Sequence, residues 1–299
     1  MNHSHTYLEA TARQRIHALL EDFAEFLPPS EKVISPHLAQ LNAPASFDDG
    51  VVIGEGSLQG KLVYAAAQEG GFMGGAVGEV HGAKLVGLMR RAIVQRPDAV
   101  LLLADTGGVR LHEANAGLIA VSEVMRALLD VRAAGIPVIV LVGGSNGCFG
   151  GMGIVARCAN TIIMSEEARL AMSGPEVIET ANGVEEFDSR DRALVWRTTG
   201  GKHRFLLGDC QVLVADDIAA FRQAAVAAIE KLAAVPVALS LGELEQEQAM
   251  LEARLQDFGG FRDPLEIWAA LGIPDPAQLP MLEAGAFVAL AEPYKRGGA

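Results

Sequence analysis

A layered α/β fold is predicted by three features of this 299-residue sequence. Strand-like and helix-like apolar patterns alternate along most of the chain. Hydrophobic residues make up 50%, yet aromatics only 5% and glycines number 33, a mixture suited to helices lying closely on sheets. Two glycine-rich turns, Asp105-Thr106-Gly107-Gly108-Val109-Arg110 and Gly143 to Gly153, each stand where an apolar strand hands over to a helix.

The elements follow in order. Between Tyr7 and Leu27, Leu8, Ala12, Ile16, Leu19, Leu20 and Phe23 recur at helical spacing until Pro28-Pro29, which reads as an N-terminal helical arm over residues 1–30. Strands Val51–Ile53 and Lys61–Ala67, joined through Gly54, Gly56 and Gly60, begin the core. From Glu79 to near Pro97 a helix is predicted, then strand Ala99–Ala104 and the first turn. A helix from about Glu113 to Ala134 follows, with Leu118, Val121, Val124, Met125 and Leu128 facing inward. Strand Pro137–Val142 leads to the second turn. Strands Thr161–Met164, Arg169–Met172 and Val212–Val214 and helix Ile218–Ala233 complete an alternation whose natural crossovers are right-handed and ββα-like. The core is thus assigned to residues 31–235. Residues 236–299, helical through Glu243–Gln256 and then proline-rich, read as a C-terminal helical appendage packed on the core or on a partner.

Composition excludes several functions. With 24 basic and 37 acidic residues the formal charge is -13, which repels a phosphate backbone and argues against nucleic acid as a partner. The longest apolar runs are too short to cross a bilayer, and the first residues lack the apolar core of a secretory signal, so a cytoplasmic protein without membrane contact is expected. Cys148, Cys158 and Cys210 show no CxxC spacing, so neither a disulfide framework nor a zinc ribbon is predicted. His3 and His5 lack further ligands at a recognisable spacing, and no metal is expected.

The two turns carry the chemistry. A strand that stops at paired glycines before a helix leaves backbone N–H groups unpaired and lets a substrate oxygen approach without meeting a Cβ. The helix dipole adds partial positive charge there. Two such turns facing one cavity would hold an enolate or oxyanion without a metal or a nucleophile. Rival motifs fit less well. Gly151 to Ala156 has the loose GxGxxA form but begins well after its strand, and Gly200-Gly201-Lys202 lacks the upstream glycine of a phosphate loop. Gly143 to Gly147 matches the G-x-S-x-G elbow and raises a serine hydrolase built on Ser145, with His203 and Asp188 or Asp191 completing a triad. Arg110 and His112 are candidate carboxylate-binding or proton-donating groups or a solvated helix start. Lys202, His203 and Arg204 form a basic cluster open to an anionic cofactor arm or to solvent, and Asp188 to Arg192 reads as a self-paired charged face.

Taken together, the loop Phe72-Met73-Gly74-Gly75-Ala76-Val77-Gly78, Thr106 to Glu113, Gly147 to Gly153 and Ser173-Gly174-Pro175-Glu176-Val177-Ile178-Glu179 resemble, in order and spacing, the carboxyltransferase branch of the crotonase-like superfamily. Val184 to Arg192, running on to Trp196 and Thr198-Thr199-Gly200-Gly201, narrows the similarity to the β subunits of biotin-independent malonate decarboxylases. The resemblance spans roughly residues 7 to 235.

It implies a crotonase-like ββα spiral and a heteromeric enzyme. A γ subunit would share the cavity, and the substrate would be a malonyl thioester on the phosphopantetheine-type arm of an acyl carrier protein, with no cofactor bound by this chain. Oxyanion donors are implied in Gly107, Gly108 and Val109 of the first turn and Gly150 and Gly151 of the second. Arg110, His112, Lys202 and Arg204 stand as substrate-binding candidates. The alternatives are a carboxyltransferase subunit of a biotin-dependent enzyme, the Ser145 hydrolase, and a subunit that only completes a partner's cavity.

Overall fold

Seven strands form one sheet in chain order in the computed structural model, which describes residues 6–296. They are β1 (Glu21–Phe26), β2 (Val51–Leu58), β3 (Lys61–Gln68), β4 (Ala99–Ala104), β5 (Val138–Val142), β6 (Thr161–Ser165) and β7 (Val212–Val214). The pairs β1/β2 and β2/β3 are antiparallel, and β3 through β7 are parallel. The helices are α1 (Ala12–Leu19), α2 (Pro36–Gln40), α3 (Glu79–Gln95), α4 (Asn115–Ala133), α5 (Gly150–Arg157), α6 (Pro175–Asn182), α7 (Arg192–Thr199), α8 (Gly201–Leu206), α9 (Ile218–Leu232), α10 (Leu241–Phe258), α11 (Pro264–Ala270) and α12 (Ala284–Ala291).

Every residue of β4 is buried because helices cover both faces of the sheet, as parallel strands require. Its side chains alternate: Val100, Leu102 and Ala104 enter one apolar cluster with α3 and α4, while Ala99, Leu101 and Leu103 enter another with α1 and α9. Beyond the carboxyl ends of the strands lies a second, shorter layer. Val77 bridges Val109, Thr106 bridges Cys148, Cys148 bridges Leu170, and Arg169 bridges Gly200. β3, β4, β5 and β6 therefore each continue into a short extended segment before the next helix, the ββα succession that the resemblance implies. The residues expected as a strand at Arg169–Met172 belong to this layer.

Two expectations need correction. The single helix read from Tyr7 to Leu27 divides: a capping box at Thr11 and Gln14 starts α1, extended Leu20 ends it, and β1 then pairs with β2. β2 consequently runs through Gly54, where a Cβ would meet the Ala24 carbonyl at 2.3 Å. Leu118, read as inward, is 55% exposed, because the covered face of α4 runs through Gly117, Ala120, Val121, Val124 and Leu128 and leaves it to one side. His3 and His5 lie outside the described residues. The C-terminal helices join the core through Trp268, Ile273, Leu279 and Phe287. Among the described residues no helix is long and apolar enough to cross a membrane.

Candidate active site at the paired glycine turns

The two turns meet. A Cβ on Gly108 would lie 3.1 Å from Cα of Gly150, and one on Gly150 would lie 3.1 Å from Cα of Gly108. Both residues have positive φ, 113° and 60°, so the approach and the backbone each demand glycine. Hydrogen bonds lace the segments together: Thr106 N–H donates to the Gly147 carbonyl at 2.8 Å, and Phe149 N–H to the Thr106 carbonyl at 3.0 Å.

Most of the candidate amides already have acceptors. Gly107 N–H donates to the Gly74 carbonyl at 2.8 Å, Gly108 N–H to the Thr106 hydroxyl at 3.0 Å, and Gly150 N–H to the Met172 carbonyl at 2.9 Å. Among the described residues, no acceptor is bonded to the N–H of Val109 or of Gly151. Gly151 lies in the first turn of α5, where amides have no partner within the helix and the dipole is positive.

The side chains beneath the turns hold them in place. Arg110 is 1% exposed and donates to the Asp49 carboxylate at 2.9 Å and to Glu113 at 2.9 Å, while its own N–H donates to the Val77 carbonyl. This corrects its reading as a substrate-binding group, because a guanidinium sealed between two carboxylates has no face left for a ligand. Burial raises the Asp49 carboxyl, against the pull of Arg110. Burial acts likewise on Glu113, but the Glu79 amide and Arg110 hold it below its ordinary value. His81, against Asp49 and Gln68, is pushed down to about 3 by burial and the nearby Arg110, so it is a neutral strut.

Asp105, at the end of β4, ties the second turn to the first. One carboxylate oxygen accepts from Asn146 N–H at 2.8 Å, and the other accepts from Arg15 of α1 at 2.8 Å, with Arg15 and Asp105 each 2% exposed. Sequence reasoning missed this trio. The available signal was an arginine at an apolar-face position of α1, between Ala12 and Ile16, which burial would oblige to find a carboxylate.

The remaining candidates separate. His112 is exposed, immediately after the first turn. Lys202 instead ties the C-terminal segment to the core, donating to the Pro280 carbonyl at 2.9 Å and pairing with Glu166 at 3.3 Å. Arg204 pairs with Asp209 at 3.1 Å and donates to the Thr198 carbonyl at 3.0 Å. Both are structural in this arrangement: Lys202 commits its ammonium to these anchors and to the Leu282 carbonyl, and Arg204 commits both terminal nitrogens. His203 is buried, accepts from Trp268 Nε1 at 3.2 Å and is pushed down to about 3, chiefly by burial; among the described residues no hydrogen bond joins it to Ser145, so the triad is not assembled. The Cys148 thiol, inside the second turn, is pushed up to about 12 by burial and is no nucleophile.

The carboxyl transferase domain family model matches residues 4–225, and the chain belongs to that family. Along nearly its full length it is similar to the malonyl-S-ACP:biotin-protein carboxyltransferase MADC of Malonomonas rubra, at 41% identity over 97% of this chain and 96% of the relative. A Pseudomonas malonate decarboxylase hetero-tetramer solved in complex with malonate contains a chain 38% identical, with a TM-score of 0.79 over 89% of this chain and 96% of that one. The Pseudomonas MdcD-MdcE hetero-dimer matches at 37% identity and TM-score 0.62, covering 76% and 89%. The crotonase-like α/β fold is thereby shown.

Proposed function

We propose that this chain is the β-type subunit of a malonate decarboxylase and that Val109 and Gly151 supply the two amides of its oxyanion hole. The observation that carries this is the contact of the two glycine turns, which leaves one unbonded N–H on each. The substrate is a malonyl thioester on the phosphopantetheine-type arm of an acyl carrier protein. As the bond to the carboxylate breaks, carbon dioxide leaves and the electron pair passes to the α-carbon and the thioester oxygen. Fixed N–H donors stabilise that charge more than they stabilise the ground state, which is what lowers a barrier. The α-carbon then takes a proton to give the acetyl thioester. On the segments from Asp105 to Glu113 and from Gly143 to Gly153, His112 is the exposed titratable side chain, and we assign it the proton delivery.

A partner subunit completes the cavity. The segments around the turns expose Leu111 (79%), Ile119 (61%) and Met172 (68%), an apolar rim that water covers poorly and a second subunit would bury. The hetero-tetrameric and hetero-dimeric relatives support such a partner.

Transfer of the carboxyl group to a biotin protein is the second reading, favoured by the name of the Malonomonas relative. It needs the same enolate-stabilising amides. Incubating the chain and its partner subunit with malonyl acyl carrier protein and a biotinyl carrier protein, with and without avidin, separates the two. Carbon dioxide and acetyl carrier formation untouched by avidin is expected; avidin inhibition with a requirement for a biotinyl protein would establish transfer. No loss of the malonyl group under either condition would overturn both.

A further inference from the structure

A cleft of about 510 Å³ opens beside the second turn, lined by Arg169, Glu176, Ser189, Arg190, Arg192 and Trp196 among others. Three guanidiniums face one carboxylate, in a chain whose formal charge is -13. Glu176 acts on Arg169 and Glu179 on Arg190 from beyond ion-pair distance. Asp188 accepts from Arg190 N–H at 2.9 Å and Asp191 from Leu194 N–H at 2.9 Å, which makes them backbone caps. Among the described residues neither the Arg190 nor the Arg192 side chain lies within ion-pair distance of a carboxylate, so the self-paired face expected from Asp188 to Arg192 is not formed. A second arginine cluster shows the contrast. Arg157, Arg204 and Arg254 surround Asp209 at 3.5, 3.1 and 2.9 Å, and Arg157 also meets Glu247 at 2.9 Å. In that cluster every guanidinium has a short ion pair, whereas in the cleft the Arg190 and Arg192 donors have none among the described residues.

Arg169 fixes the cleft to the reaction site. Its guanidinium lies 4.8 Å from the Trp196 ring and 5.7 Å from the Phe149 ring and donates to the Ser145 carbonyl, so it is held rigidly on the second turn. Its carbonyl accepts from Cys148 N–H at 2.8 Å. Cys148 is three residues from Gly151, a Cα separation of at most about 11 Å along the chain.

We infer that this cleft seats the phosphate of the pantetheine arm that carries the malonyl group. Forked guanidinium donors match phosphate oxygens, and through Arg169 and Cys148 the cleft stands off the amides at the far end of an extended arm whose thioester rests on them. The assignment rests on the function proposed above, which supplies the arm.

The test uses the complex with its partner subunit, as wild type and as the R190Q/R192Q variant, whose changed residues are exposed on the surface. Turnover of malonyl-phosphopantetheine is compared with that of malonyl-pantetheine, which lacks the phosphate. The variant is expected to lose the preference for the phosphorylated substrate by roughly tenfold in kcat/KM, as for removal of charge-assisted bonds. An unchanged preference would overturn the inference. Malonyl coenzyme A and malonyl carrier protein should weaken alike, because both present the phosphate; a loss confined to the carrier protein would instead mean that the arginines read the protein surface. Calorimetric titration of phosphopantetheine alone, which needs no turnover, separates this from the functional reading. Binding that the variant weakens, in a complex inert toward malonyl thioesters, keeps the cleft and sinks the decarboxylase. Heats identical in wild type and variant sink the cleft.

Discussion

The first glycine turn adds a buried ionic cluster to its backbone bonds, whereas the second relies on backbone bonds and on Asp105. Beneath Thr106 to Arg110, Arg110 joins Asp49 and Glu113 with no solvent access to any of the three side chains. Around Gly147 to Gly151, the anchors are carbonyls: Arg169 holds Cys148, Thr106 holds Phe149 and Met172 holds Gly150. Asp105, the first residue of the first turn, grips Asn146 of the second and is itself held by Arg15 of α1. Similar glycine patterns are thus fixed by different physics. A buried ionic anchor fails badly when one member is removed, because it strands the others, while a backbone anchor is nearly indifferent to side-chain substitution.

Removing the ionic anchor should have the largest effect. Arg110→Met leaves Asp49 and Glu113 buried without a counter-charge and should cost about 4 kcal/mol, read by urea denaturation. A loss under 1 kcal/mol would show that the first turn does not depend on the cluster. Asp105→Asn keeps an acceptor for Asn146 but leaves Arg15 buried and unpaired; about 3 kcal/mol should be lost, together with activity, because both turns are released. Stability loss with full activity would mean that Asp105 anchors α1 and not the turns.

Acid sharpens the comparison further. His81 and His203 are held near 3 in the folded chain, below the ordinary 6.5. As pH falls below about 6.5 the unfolded chain therefore takes up protons that the folded chain refuses, and stability declines down to about pH 3 by about 1 kcal/mol per pH unit for each histidine. Denaturation midpoints at pH 7.5 and 5.5 would show it. His203→Phe should remove the C-terminal share of that slope and leave the part due to His81 under the first turn; an unchanged slope would exclude His203.

The local pattern made much of this fold legible. The strand at Ala99–Ala104 and the short strand at Val212–Val214 have the boundaries expected from their apolar runs, and both glycine turns stand at strand-to-helix junctions as read. β1 was not legible, since Phe23 continues the helical spacing of α1 and only pairing with β2 turns it into a strand. The anchors were hidden for a related reason. Asp49 is 61 residues from Arg110, and Arg15 is 90 residues from Asp105, so neither partner lies within reach of a periodicity argument. Arg110, Lys202 and Arg204 looked available because exposure is a property of the folded surface. Arg190 and Arg192 looked directly paired with the acids beside them, whose oxygens in fact cap backbone amides.

The amide of Gly151 is the most direct point of attack. Proline is tolerated in the first turn of a helix, so Gly151→Pro deletes the N–H with α5 kept, and Gly151→Ala adds a Cβ while retaining that N–H. In the complex with its partner subunit, decarboxylation of the malonyl thioester should fall roughly 100- to 1,000-fold in kcat for the proline variant relative to the alanine variant. Equal rates in the two variants would contradict the account.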